Sequence, residues 1–503
     1  MERSVTDSSL PYASAIELLE LLREGRLGSR ELLEAYVARI EAVNPKLNAV
    51  VATDLEAARK RADEADQARK RGESWGPLHG LPMTLKDTWE MPGMPCTGGN
   101  PELASHRPEA AAPAVQRLLD AGAIVFAKTN VPYKAMDIQS YNDVYGTTNN
   151  PWSLDRTPGG SSGGSAASLA AGFTPIELGS DIGGSIRIPA HFCGVYGHKA
   201  TYGIIPLRGH VAAEVGHVSE PVLAVAGPMA RTAEDLRLVF ELLVGPHAAL
   251  SPGWKLELPA PRHDRLERFR VLLWIDDPDC PIDSRMAATY GELARALEAP
   301  GVQVDRGAPG GMGLRDLYPA YIAQMGSVMK AWMTPSDLRR NGMVTPFGRA
   351  TAPFMRAMGR VADLPFALDH FVAGMTKGVG GWLDLQEEGL RLRETFSAVF
   401  GRYDVILAPP TITTAIRHDH STMAFRRMPV DGKQRHYADQ FMWISPATLL
   451  GLPATSAPVG LTADGAPVNV QILGAPYEDR TTIEFARLVA GVAGGFRKPP
   501  LSD

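Results

Sequence analysis

Near the N-terminus apolar positions recur at helical spacing. Ile16, Leu19 and Leu22 accompany Ser14 and Glu17, which have the spacing of a capping box, and Gly25 stands as a stop, so the pattern predicts a helix over 14–24. A second helix is expected to begin near Ser29. From 55 to 71, "LEAARKRADEADQARKR" combines helix formers with interleaved opposite charges, the pattern of a solvated helix face. Between about 76 and 236 the texture changes to short apolar runs such as "AIVFAKT" (123–129) and "FTPIEL" (173–178). Gly- and Pro-rich loops and small-residue helices separate them, which predicts an α/β layered arrangement. Residues 246–266 are rich in Pro and polar groups and read as a surface crossing or boundary. A strand at 269–275, a helix near 285–298 and a short strand near 302 follow. Beyond 310 the pattern is mostly helical and carries many Met and aromatic residues, and 404–494 returns to strands ("DVILAPP", "ATSAPVG", "VNVQILG"). No internal repeat is present.

Composition narrows the classes. A chain of 503 residues would be about three domains at ~150 residues each, but large α/β enzymes exceed that rule. A hydrophobic fraction of 45% and a charged fraction of 21% describe a globular chain able to bury a large core. A net charge of -5 with no sustained basic run argues against a phosphate-tracking surface and for small-molecule partners, with no nucleic acid and no membrane. The 3 cysteines, Cys96, Cys193 and Cys280, lie far apart and fit neither a disulfide framework nor a metal site. The N-terminus carries acids where a signal peptide would be apolar, and no run of about 18 apolar residues occurs. The expectation is therefore a cytoplasmic, soluble protein needing no metal or other cofactor, its oligomeric state left open with a homodimer among the options.

Several stretches could carry chemistry. "TPGGSSGGSAASLAAG" (157–172) contains G-x-S-x-G twice, but the preceding "NPWSLDRTP" is polar and broken by two prolines, whereas a nucleophile elbow needs a buried apolar strand there. Ser327 and Lys330 form an S-x-x-K match whose partner motif, Ser140-Tyr141-Asn142, comes in the wrong order. His418 and His420 have no third ligand at a recognised spacing and read as part of a polar loop. Lys86, in "HGLPMTLKDTWEMPG", follows Leu81, Met83 and Leu85, and alternation puts it on the face opposite those three, either a surface lysine or a base. In "LGSDIGGSIRIPAHFCG" (178–194) Ser185 follows two glycines. These either make a simple turn or direct consecutive N–H groups toward one point, as an oxyanion site requires.

Together, Lys86 in "GLPMTLKD", the 157–172 stretch and "LGSDIGGSIRIPAHFCGVYGHKAT" resemble the amidase signature family of serine hydrolases. The likeness continues through "VFAKTNVPYKAMD" (125–137), "YGTTNNPW" (145–152), "VAGPMARTAEDLRLVFELLVG" (225–245) and "GLPATSAPVGLTADGAPVNVQILG" (451–474), leaving out about 250–400. The resemblance implies the amidase signature fold, an α/β architecture with a large central mixed β-sheet covered by helices on both faces. It implies one domain over 1–503: N-terminal helices at 1–75, a catalytic core at 76–245, a substrate-shaping region at 250–400 and closing strands at 401–503. It also implies Ser185 as nucleophile, Ser161 as bridging serine after a cis Gly160–Ser161 bond, and Lys86 as base; the spacing of the two serines matches the family pattern. The N–H groups of Ile182, Gly183, Gly184 and Ser185 would hold the oxyanion. Ser162 would support the relay, and Asp181 and Arg187 would brace the loop.

A base must be uncharged to accept a proton, so an ordinary lysine with a pKa of about 10.4 would have to be buried away from water to serve. The family hydrolyses amides, and some members esters or carbamates. Tyr318, Tyr321, Met325, Met329, Trp332, Met333, Phe347, Phe354, Met358, Phe371 and Trp382 read as core, or, where they face Ser185, as a pocket for apolar or aryl amides. Two alternatives stay open: the glutamine-hydrolysing subunit of a tRNA-dependent amidotransferase, and an inactive binding protein on the same scaffold. "IIPLRGHVAAEVGHV" (204–218) stands nearer the free-standing amidases than that subunit.

Overall fold

A computed structural model describes residues 10–211, 215–340 and 364–501. Eight strands form one mixed sheet, in the order Gln303–Arg306, Arg270–Leu273, Val405–Ala408, Pro467–Leu473, Ala454–Leu461, Tyr196–Lys199, Val225–Ala230, Ile176–Asp181. The first three run parallel and the rest pair antiparallel. Successive side chains of a strand point to opposite faces, and here both faces are covered. Val271 and Leu273, Val405 and Leu407, and Val468, Val470 and Ile472 enter one apolar core, whereas Leu272, Ile406 and Leu473 enter another. A second, three-stranded sheet pairs Val50–Thr53 antiparallel to Ile124–Thr129, which runs parallel to Pro82–Lys86.

The N-terminal helix spans Ala15–Glu24, with the Ser14–Glu17 capping box formed and Gly25 left-handed at its end. The next covers Ser29–Leu47, and Leu55–Lys70 buries Ala58, Ala62, Ala65 and Ala68 while its charges face outward. The expected 173–178 strand is displaced to Ile176–Asp181. Pro175 has no N–H to give to a ladder, and Phe173 and Thr174 instead close the preceding helix, Phe173 through an N–H bond to the Ser168 carbonyl. Beyond 310 the helices Leu314–Trp332, Leu368–Thr376 and Val379–Ser397 follow. The strand expectation for 404–494 needs two corrections: Ser445–Leu449 is a short helix, and Asp479–Ala493 is a longer one, its buried Ile483, Ala486 and Val489 lying at helical spacing. Among the described residues no helix is long and apolar enough to cross a membrane.

Candidate active site

The site lies where the two sheets meet. Strand Pro82–Lys86 is buried at all five positions, so the surface reading of Lys86 fails. Alternation does separate Lys86 from Leu85 and Met83, but the face it points to is also interior. Its Nζ is wholly buried and hydrogen bonds to Ser161 Oγ at 2.8 Å, Ser162 Oγ at 2.9 Å and Ser180 Oγ at 2.8 Å. Burial lowers its pKa to about 7, although the carboxyls of Asp181 and Glu177 pull the other way. Asp87, its sequence neighbour, does not pair with it: that carboxylate takes a hydrogen bond from the Thr97 hydroxyl and feels Lys128 instead.

The glycines of the serine stretch are explained by close packing. A Cβ on Gly160 would stand 2.5 Å from the Asp137 carbonyl oxygen, and one on Gly164 would stand 2.3 Å from the Asn130 nitrogen. The Gly160–Ser161 peptide is cis. The helix Gly163–Ala171 starts directly after Ser162. The Ser162 N–H donates to the Ser185 carbonyl at 3.1 Å, so the two serine-bearing segments are held together by backbone.

Ser185 is 6% exposed, on the turn between strand Ile176–Asp181 and helix Arg187–Cys193. Gly184 has a left-handed φ of 85°, a conformation that glycine adopts without strain. Asp181 organises the turn, accepting from the N–H groups of Gly184 (3.0 Å), Ile186 (3.1 Å) and Arg187 (3.3 Å), and from the Arg187 guanidinium at 2.9 and 3.1 Å. Burial opposes a charge on Asp181, but Arg187 holds its carboxyl below the usual carboxylate range. Arg187 in turn reaches the Ile444 carbonyl, Gln471 Oε1 and Thr448 Oγ1. One expectation changes here: the Gly184 N–H, assigned to the oxyanion, is already committed to Asp181. Those of Ile182, Gly183 and Ser185 have no protein acceptor among the described residues.

Aromatic residues face this turn. The Tyr321 hydroxyl donates to the Ile182 carbonyl at 3.2 Å, and a Cβ on Gly183 would lie 3.4 Å from the Phe441 ring. Ser180 and Phe441 escaped the sequence reading. Ser180's signal is a polar residue in a strand otherwise apolar at Ile176 and Leu178, next to the motif Asp181. Tyr318, Tyr321 and Met325 are core residues, with Met329 and Phe371 packed against the same cluster, and Met333 is also buried. Trp332 and Trp382 line a cavity of about 460 Å³ with Val328 and Met375. Phe347, Phe354 and Met358 lie outside the described residues. The His418 ring meets His420 edge-on, and His420 stacks on Tyr141 at 3.9 Å between centroids.

The family model Amidase matches residues 31–483. The chain belongs to the amidase signature family. A bacterial aryl acylamidase of the amidase signature family superposes with a TM-score of 0.78 at 25% identity, over 97% of each chain. The indoleacetamide hydrolase of Bradyrhizobium diazoefficiens is 31% identical over 89% of this chain and 80% of its own. A glutamyl-tRNA(Gln) amidotransferase subunit of Carboxydothermus hydrogenoformans is 41% identical, but that match spans only half of each protein. The corresponding protein from Synechococcus sp. (strain CC9902) is 32% identical over 87% of each.

Proposed function

We propose that this amidase hydrolyses carboxylic amides bearing apolar or aryl groups, through an acyl-enzyme on Ser185. The observation that carries the reading is the dry Lys86 amine, surrounded by serine hydroxyls and brought to about 7 by burial. Neutral Lys86 takes the Ser161 proton as Ser161 takes that of Ser185, and Ser185 Oγ attacks the substrate carbonyl carbon. The tetrahedral oxyanion is held by the N–H groups of Ile182, Gly183 and Ser185, each worth about 3 kcal/mol. The C–N bond then breaks, and Ser161 hands its proton to the leaving amine while Lys86 returns one to Ser161. Water attacks the acyl ester by the same relay in reverse, releasing the acid and restoring Ser185.

The preference for apolar groups rests on Phe441 and Tyr321 beside the Gly183 turn. The three unpaired, buried cysteines accord with a cytoplasmic setting. The likeness to amidotransferase subunits favours a second reading, glutamine hydrolysis beside a partner that handles tRNA. Glutamine carries an α-carboxylate, for which the aromatic faces of Phe441 and Tyr321 are poor counterparts.

A hydrolysis screen with anilides, aryl carbamates, short aliphatic amides and glutamine tests the choice. Anilides are expected to turn over fastest and glutamine slowest; glutamine as the preferred substrate would overturn this reading in favour of the second. A fluorophosphonate probe should label Ser185. Failure to label the folded protein would point instead to an inactive binding protein.

A further inference from the structure

Glu177 is wholly buried in strand Ile176–Asp181, three positions before Ser180, and the relay makes no use of it. Its carboxyl accepts from Thr84 Oγ1 at 2.7 Å, Thr129 Oγ1 at 3.0 Å and the Leu178 N–H at 3.0 Å. Among the described residues no cation pairs with it. Burying an acid without a cation is costly, and the two side-chain hydroxyls that satisfy this one, those of Thr84 and Thr129, lead to the base. Thr84 stands two residues before Lys86 and so shares its face of the strand. Thr129 is the register partner of Lys86. The Thr129 hydroxyl also meets Ser165 Oγ at 2.9 Å, in the first turn of the helix that follows Ser161 and Ser162. One carboxyl therefore ties the strand of the amine to the helix of its hydroxyl partners.

We propose that Glu177 is a positioning residue for Lys86. It locks the amine's strand against the relay serines, and it acts on the amine as an acid without a counter-ion of its own. Burial raises Glu177 to about 7, and the Glu177 carboxyl works against the burial that lowers Lys86 to about 7. Two other titratable groups face Lys86. Asp181 is kept charged by Arg187, and His210 is pushed down to about 3 by burial and by Lys86 itself. Neither changes charge near neutral pH, and Asp87, raised to about 6 by burial, turns to Thr97 and Lys128, which leaves Glu177 as the variable neighbour. An ionised Glu177 favours the ammonium; a neutral group in its place lets the amine deprotonate earlier.

The inference rests on Lys86 acting as the base, and its test keeps the two claims apart. The pH profiles of kcat and kcat/KM are measured for wild type, Glu177→Gln, Thr84→Val and Lys86→Ala, each first checked for cooperative thermal unfolding. Glu177→Gln keeps the side chain's size and loses its charge. Its acid limb should move to lower pH by about 0.5–1 unit with KM unchanged. Thr84→Val deprives the carboxyl of its closest donor, making it harder to ionise, and should move the limb the same way by less. An unshifted limb in Glu177→Gln overturns the inference, and if that variant does not fold, an unshifted limb in Thr84→Val does so. Wild-type activity in Lys86→Ala would overturn the base assignment instead, whatever the other two variants do.

Discussion

Three lysines, Lys86, Lys128 and Lys199, lie fully buried among the described residues; burial brings Lys86 and Lys199 to about 7, yet of these two only Lys86 faces hydroxyl groups. Lys86 faces three serine hydroxyls. Lys199, at the end of strand Tyr196–Lys199, donates to the carbonyls of Ala200 and Leu452 at 2.9 and 2.8 Å. A carbonyl accepts hydrogen bonds but has no proton to surrender, whereas a hydroxyl can do both. A lysine emptied of charge by its surroundings is thus only half of a base. The other half is a neighbour able to give up a proton, and that neighbour must itself reach a nucleophile. Lys199 instead pins strand Tyr196–Lys199 to the loop before Ala454–Leu461, in a region where His198 hydrogen bonds Asp479 and Thr455.

Substitutions should separate the two sites, and the largest effect belongs to the catalytic one. Lys86→Ala and Ser185→Ala should each lower kcat/KM by roughly 10³-fold or more with the fold retained by circular dichroism. Near-normal turnover in either would remove that residue from the reaction. A smaller effect is expected beside the Gly183 turn: Phe441→Ala should raise KM for anilides about 10-fold, the order of one lost apolar contact, while leaving kcat within a few-fold. An equal loss on short aliphatic amides would deny Phe441 a part in selecting the substrate. The least effect on chemistry should come from Lys199→Met. It leaves two carbonyls unpaired at a cost of about 1–3 kcal/mol each at most, seen as a lower Tm, while kcat/KM of the folded enzyme stays within a few-fold. A loss as deep as that of Lys86→Ala would break the distinction.

What could be read in the chain depended on how far backbone constraints reach into residue choice. The glycine–serine stretch was legible because backbone atoms crowd Gly160 and Gly164, coming within 2.5 and 2.3 Å of any added Cβ. Few residues fit, and the pattern is correspondingly specific. The resemblance implies that Asp181 and Arg187 brace the loop, but it does not foretell that the Gly184 N–H donates to Asp181. A run of glycines exposes several N–H groups, and which of them stays free depends on where the Asp181 carboxylate turns. Lys86 was ambiguous because alternation tells the two faces of a strand apart without saying whether either meets water, and here neither does. Glu177 and Ser180 went unread for a related reason: their partners sit on another sheet, far off in sequence. Aromatic and Met spacing on helix Leu314–Trp332 could not distinguish core from pocket, since the same helix serves both, with Tyr318 and Tyr321 inward and Trp332 on the cavity.

The central claim, that an uncharged Lys86 draws the proton from the serine pair, is tested most directly by the rate at which an uncharged fluorophosphonate labels Ser185 as pH is raised. The wild-type rate should climb through one apparent ionisation near 7 and level off above it, and the climb should vanish with most of the rate in Lys86→Ala. A wild-type rate that is flat from about pH 5 to 9, or a climb that survives in Lys86→Ala, would contradict it.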